Sequence, residues 1–312
     1  MASLSVIIPL FNKEKDIVDT LTSVCNQTFI DFEIIIVNDG STDSSVEKIK
    51  SLTDNRIQLY SKNNEGVSAA RNFGVEKANT NYVAFLDADD YWYPNHLENL
   101  FSLINKFPEQ SWYAAAYDKK RNKNLTTPMD SPIREKGPYW SGEIEDFFKN
   151  SYVDCLINSS SVCFRKDFYT SLNGFNSVLT HGEDIDLWIR SALQSNLIFT
   201  NNISSQHDLT GSNRSSSIQI HERKNIQLDA FLEDERKNPS LKKYLDLNRY
   251  SLAIQHKISG DHLNFKKYIE GINSENLNKK QRFLLNRNKN VLRLMIELQK
   301  LLEKLGLRLS SF

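Results

Sequence analysis

The sequence predicts an α/β fold built on a mostly parallel sheet with helices on both faces, followed by a helical C-terminal extension. Three observations carry that expectation. Short continuous apolar runs alternate with helical patterns over the first 90 residues, and unbroken apolar runs are what strands of a parallel sheet need, because both of their faces are covered. Each of three such runs ends in a polar cluster: Asn12, then Asn38-Asp39, then Asp87-Ala88-Asp89-Asp90. Beyond about residue 220 strand signals become rare and long polar–apolar helical patterns take over.

Residues 4–9 read as a buried strand and residues 14–27 as a helix. A second strand at 33–37 runs into Asp39-Gly40-Ser41-Thr42-Asp43, a turn whose Thr42 and Asp43 are suited to cap the next helix. That helix spans 44–52; a strand at 57–60, a helix at 66–77 and an apolar strand at 82–86 follow. The middle is less regular. A polar, proline-containing stretch at 119–138 reads as a loop or a mobile hairpin, and 160–165 as a strand. Residues 183–194 form a helix, since Ile185, Trp188, Ile189 and Ala192 follow the 3, 4, 7 spacing of one helix face. The boundary between the α/β part and the helical part falls at 219/220.

Composition excludes several classes. Lys plus Arg and Asp plus Glu both number 39, a balance that does not suit a nucleic-acid binder. It conceals an asymmetry, because residues 279–312 hold nine basic and two acidic side chains. Cys25, Cys155 and Cys163 are odd in number, widely spaced and without a CxxC pair, which argues against a disulfide framework or a zinc site and for reduced thiols in the cytoplasm. No apolar run reaches the ~18 residues of a membrane span, and the short run Val6-Ile7-Ile8 is cut by Pro9, so the expected membrane contact is peripheral, at the inner face.

Asp87 and Asp89 follow the apolar strand directly. Two carboxylates at a strand end are costly unless hydrated, paired or neutralised, and hard oxygen ligands of this kind suit Mg²⁺ or Mn²⁺ bridging to a diphosphate. The plainer alternative is a solvated acidic turn. Asp39, beside a glycine turn, can accept the N3–H of uracil or thymine, or serve only as a turn or helix-capping residue. Gly66 to Asn72 puts small residues at a helix start, where Arg71 either faces a nucleotide or pairs with Asp39 or Asp87.

Taken in order, Ser5-Val6-Ile7-Ile8-Pro9-Leu10-Phe11-Asn12, Gln27-Thr28, residues 37–43, residues 66–72 and Phe85-Leu86-Asp87-Ala88-Asp89-Asp90 resemble the family 2 glycosyltransferases of GT-A fold. Gly174-Phe175 and His181-Gly182-Glu183-Asp184-Ile185-Asp186-Leu187-Trp188 match that family's acceptor-side segment. The resemblance covers roughly residues 3–217. It implies a nucleotide-binding half at 1–110, an acceptor-binding half at 111–219, and inverting transfer of a sugar from a nucleotide diphosphate donor. A UDP-sugar donor and a glycan or lipid-linked acceptor of cell-surface polysaccharide synthesis follow from the family's common roles. Pro9, Asn12, Asp39, Arg71, Asp87 and Ala88 would then line the nucleotide-sugar, and Asp89 would be the direct metal ligand. Asp184 would be the general base, and Glu183 would orient the acceptor or cap the helix. His207 would join the metal or the diphosphate, and Arg214 and Ser216 would close over the phosphates as a lid. Asp90 would do no more than start the next helix.

The tail has its own pattern. Arg282, Lys289, Arg293, Lys300 and Lys304 share one helical stripe, with Leu294, Leu298, Leu301, Leu302 and Leu305 opposite. Such a helix rests on an anionic membrane surface, or packs its apolar face on the chain or on another subunit; packing is the favoured of the two. Two other functional classes compete with the enzyme reading. A non-catalytic nucleotide-sugar-binding module would lack donor turnover. A sugar nucleotidyltransferase would want a glycine-rich basic loop near the N-terminus, and Leu10-Phe11-Asn12-Lys13-Glu14-Lys15 has no glycine.

Overall fold

The structure, a computed structural model, describes residues 2–211 and 219–304. The chain divides into two compact units, one of Met1–Lys120, Thr126–Ile218 and Arg223–Ile226, the other of Arg121–Leu125, Gln219–Glu222 and Gln227–Phe312. In the first, β1 (Leu4–Leu10), α1 (Ile17–Cys25), β2 (Phe32–Asp39), α2 (Ser45–Lys50), β3 (Ile57–Lys62), α3 (Val67–Lys77) and β4 (Tyr82–Phe85) alternate. There follow β5 (Tyr91–Trp92), α4 (His96–Lys106), β6 (Trp112–Asn122), β7 (Leu125–Pro128), β8 (Ser141–Ile144), β9 (Val162–Arg165), α5 (Lys166–Ser171), α6 (Glu183–Ala192) and β10 (Leu197–Asp208). The sheet order is β3-β2-β1-β4-β9-β6-β10-β5, with β7 on β6 and β8 on β10. Along that path β9 and β5 run against the other six strands, so the sheet is mostly parallel.

The apolar runs bury both faces by simple alternation. Val6, Ile8, Leu10, Ile34 and Ile36 pack with Ile17, Leu21 and Val24 of α1 and Leu97 and Leu100 of α4. On the opposite face α3 lies against Ile7 and Val37, so close at Gly74 that a Cβ there would meet Ile7 Cγ2 at 2.4 Å. Pro9, inside a central strand, loses nothing. Ile7 O accepts from Leu86 N, and alternation turns the Pro9 nitrogen to that same side, where the β1–β4 ladder has ended at Ile7.

Two long strands, β6 and β10, lie where the sequence reading placed no strand. Each pairs in parallel with the other, with a register shift between Thr200 and Ser205. The polar stretch expected as a loop or hairpin opens as the β6–β7 hairpin.

The second unit contains α7 (Leu232–Lys237), α8 (Pro239–Ser259), α9 (His262–Glu270), α10 (Lys279–Leu285) and α11 (Lys289–Lys304). The Asn238 side chain caps α8 by accepting from Leu241 N, and Pro239 sits at its first turn. Tyr250 and Ile254 of α8 pack with Leu277, Leu284 and Leu292. Arg249 is buried between Glu235 (2.7 Å) and Asp246 (3.1 Å). Among the described residues no helix is long and apolar enough to cross a membrane.

Candidate active site

In a parallel sheet the chain leaves each strand at one edge, so side chains just past the C-terminal ends of neighbouring strands meet. β1, β2 and β4 lie side by side, and their ends deliver Asn12, Asp39 and the acidic cluster to that edge. Asn12 takes a positive φ of 51°, which asparagine tolerates. Its Oδ1 accepts from Thr42 N (2.8 Å) and its own N–H donates to Ser41 Oγ (3.1 Å), joining the loops after β1 and β2. Asp43 accepts from Ser45 N and Glu14 N, so it holds the start of α2. Asp39 is almost fully buried. It accepts from Glu65 N (3.0 Å), Gly66 N (2.8 Å) and Lys62 Nζ (3.1 Å), and thereby anchors the turn into α3.

After β4 the three aspartates separate in role. Asp87 N donates to Ser160 Oγ, and Asp87 Oδ1 accepts from Arg71 at 2.6 Å. Asp89 pairs with Lys13 Nζ at 2.6 Å. Burial, and then the charge of Asp90, push the Asp89 carboxyl up to about 6 despite Lys13. Asp90 is the most buried of the three at 2 % exposure, and it starts no helix: β5 follows, and α4 begins only at His96. A buried carboxylate needs partners, and Asp90 takes them from Ser160 Oγ (2.5 Å), Asp208 N (2.8 Å) and His207 Nδ1 (3.1 Å). It therefore ties the end of β4 to the end of β10. Gly211, just past β10, lies so close that a Cβ would sit 2.8 Å from Asp89 Oδ2.

Asp89 and His207 are thus brought around one buried carboxylate. An imidazole held at Nδ1 by a carboxylate is the arrangement that orients metal-ligating histidines. The Asp89 carboxyl is raised first by burial and then by the Asp90 charge, with Lys13 opposing. Among the described residues no three His, Cys, Asp or Glu side chains form a ligand group. A hard cation that takes one or two protein ligands and completes its shell with phosphate oxygens and water, as Mg²⁺ and Mn²⁺ do, fits this donor set.

The other wall is the start of α6. Gly182 takes φ +78°, in close contact with Ile226, and aims Glu183 and Asp184 from the first turn. Arg71, buried on α3, reaches both sides. It lies 2.6 Å from Asp87 and 3.6 Å from Glu183 Oε1, with its guanidinium carbon 4.7 Å from the Phe175 ring centroid. Phe175 is held by Asn72, whose Oδ1 accepts from Phe175 N and whose Nδ2 donates to Phe175 O. Behind it Phe85, Phe164, Tyr169 and Trp188 form an aromatic cluster. Removing Arg71 would leave two carboxylates without their shared cation. Arg71→Ala is expected to cost about 3–5 kcal/mol, read by denaturant unfolding. A loss below about 0.5 kcal/mol, typical of an exposed pair, would show that the pair carries no such load.

Burial, and then the Asp184 charge, push Glu183 well above the usual carboxylate range, with Arg71 opposing. A carboxyl whose folded pKa is raised favours folding below its unfolded value near 4.5, and that contribution is lost as pH rises toward and through the folded pKa. Glu183→Gln should therefore gain stability relative to the parent between pH 5 and pH 8, by roughly 3–6 °C in Tm. Parallel Tm–pH curves would contradict this.

Of the residues expected at a site, Asn12, Asp39, Arg71, Asp87, Asp89, Glu183, Asp184 and His207 occupy these strand ends, α3 or the α6 start. Ala88 turns into the core cluster, and Pro9 is buried in β1. Arg214 and Ser216 lie outside the described residues. Lys13, Lys62 and Ser160 contact these residues and were not among the candidates named from the sequence. Lys13 directly follows Asn12, and a cation one residue past a strand-end loop facing Asp87-Ala88-Asp89 was the available signal.

The profile of glycosyl transferase family 2 matches residues 5–170. An uncharacterized glycosyltransferase of Rickettsia bellii is 34% identical over 193 residues, 60% of this chain and 26% of that protein. The chain spans only about a quarter to a third of the length of this and the next two Rickettsia relatives. The Escherichia coli UDP-Glc:alpha-D-GlcNAc-diphosphoundecaprenol beta-1,3-glucosyltransferase WfgD is 31% identical over 268 residues, 85% of this chain and 98% of WfgD. Residues 1–349 of S. aureus TarS, solved with UDP-GlcNAc, superpose with a TM-score of 0.63 at 16% identity, covering 95% of this chain and 92% of that one. The fold is GT-A, and by its profile and its match to WfgD the chain belongs to glycosyl transferase family 2.

Proposed function

We propose that the protein is an inverting glycosyltransferase that moves a sugar from a nucleotide diphosphate, a UDP-sugar, to a hydroxyl of a glycan or lipid-linked acceptor in surface polysaccharide synthesis. One observation carries this reading: Arg71 joins Asp87, beside the partly buried Asp89, to Glu183, next to Asp184 at the head of α6. A donor-side carboxylate set and an acceptor-side carboxylate pair thereby face one another across a single buried cation. The WfgD name, which specifies a UDP-sugar donor and a diphosphoundecaprenol acceptor, supports the same substrate classes here.

In this mechanism Asp39 and Asn12 position the nucleoside, and the Asp39 carboxylate takes the uracil N3–H in addition to the backbone donors it already accepts. Asp87 positions the ribose, and Asp89 with His207 would hold Mn²⁺ or Mg²⁺. The cation, when bound, supplies positive charge to the departing diphosphate. Asp184 accepts the proton of the acceptor hydroxyl as its oxygen attacks the anomeric carbon, and one displacement turns an α-linked donor into a β-linked product. Glu183, paired with Arg71, orients the acceptor.

A thermal-shift screen of nucleotide sugars with Mn²⁺ tests the donor. Binding to the native state stabilises it by about 2.7 kcal/mol at a ligand concentration 100 times Kd, so a UDP-sugar should raise Tm by several degrees and its CDP counterpart should not. Equal shifts with UDP and CDP would remove Asp39 from base reading.

A further inference from the structure

Helix α11 divides its apolar residues between two faces. Leu292 is buried and Met295 packs with it against Tyr250, Ile254 and Leu284, so this face anchors the helix on its own unit. Packing within the unit therefore does not account for the apolar residues the sequence placed opposite the basic stripe. Leu294 is 68% exposed, Leu298 51%, Leu301 55% and Val291 38%. Their 3-4-3 spacing makes one continuous stripe along more than two turns. A stripe of that length on a soluble surface marks an interaction site.

The charge around it selects the occupant. Arg293 is exposed on the flanking face, where it donates to Ile258 O (2.7 Å), with exposed Glu297 between it and the stripe; in the sequence Lys289, Lys300 and Lys304 recur in the register of Arg293. The segment 279–312 carries nine basic and two acidic residues. A second copy would bring two strongly positive segments together. In that pairing one flank of the stripe presents Met295 and Leu302, which offer no charge, and the other Glu297 and Lys304, so only one flank could form ion pairs against the repulsion of the two segments. An anionic lipid surface meets both needs, taking the leucines into its acyl boundary and the cations among its headgroups.

We infer that α11 is a membrane-surface helix that docks the protein on anionic lipid through Val291, Leu294, Leu298 and Leu301, with the basic register beside them. The inference stands independently of the glycosyl-transfer reading. Its test is cosedimentation of the full chain with vesicles containing roughly a third phosphatidylglycerol, against pure phosphatidylcholine, with light scattering for mass. The chain should prefer the anionic vesicles by about tenfold or more and release them in high salt. The triple variant Leu294→Ser, Leu298→Ser, Leu301→Ser should lose about tenfold in binding at unchanged mass and unchanged donor hydrolysis. Equal binding to both vesicle types, or to neither, overturns the inference, and does so with the parent chain alone if the variant misfolds. A parent dimer that the triple variant converts to monomer also overturns it, and assigns the stripe to a second copy.

Discussion

Asp184→Asn is expected to lower sugar transfer by about 10²–10⁴-fold, the range of a lost general base, while donor affinity stays within about twofold. The asymmetry follows from where the residues sit. Asp184 is the second residue of α6, whereas Asp39, Asp87 and Asp89 stand at the ends of β2 and β4. Its neighbour Glu183 is turned toward Arg71 instead, 3.6 Å away. Asparagine keeps the size of the side chain, and its amide oxygen can still accept from Ile185 N, as Asp184 Oδ1 does at 2.8 Å. The helix start should therefore survive and only proton acceptance be lost. Single-turnover transfer, measured beside calorimetric titration of the donor, separates the two effects. Full transfer by the asparagine variant would place the base elsewhere.

How far the sequence exposed this arrangement depended on whether each signal was local. β1, β2 and β4 were legible because strands covered on both faces must be apolar throughout, and the polar residues that end them sit where parallel strands present ligands. β10 was not. After Leu197, Ile198 and Phe199 it continues with Asn201, Asn202, Ser204, Ser205 and Gln206, a polar run that carries little strand signal. Its burial becomes affordable only through distant partners: Asn201 Nδ2 donates to Ile133 O and Gly137 O, and Ser204 Oγ meets His96 Nδ1. The same holds for Asp90. Its partners Ser160, His207 and Asp208 lie 70 to 118 residues away, so a local reading saw only a turn residue before a helix. Arg71 lay between these cases, since its candidate partner Asp87 was named from the sequence but its second partner, Glu183, required the fold.

The central claim is that Asp89 serves a cation-assisted departure of diphosphate. In the structure its carboxylate is held by Lys13 and crowded by Asp90, and its pKa of about 6 reflects burial first and then the Asp90 charge. Asp89→Ala removes the Asp89 carboxylate but leaves Asp90, which carries the link between β4 and β10, in place. Its effect should therefore fall on chemistry more than on folding. The direct measurement is Mn²⁺-dependent release of UDP from a UDP-sugar in the absence of acceptor, for the parent and for Asp89→Ala, each with its melting curve. The account predicts slow release by the parent that rises with Mn²⁺, and a loss of about 10²-fold or more in a folded Asp89→Ala protein. Undiminished Mn²⁺-dependent release by the folded variant would contradict it.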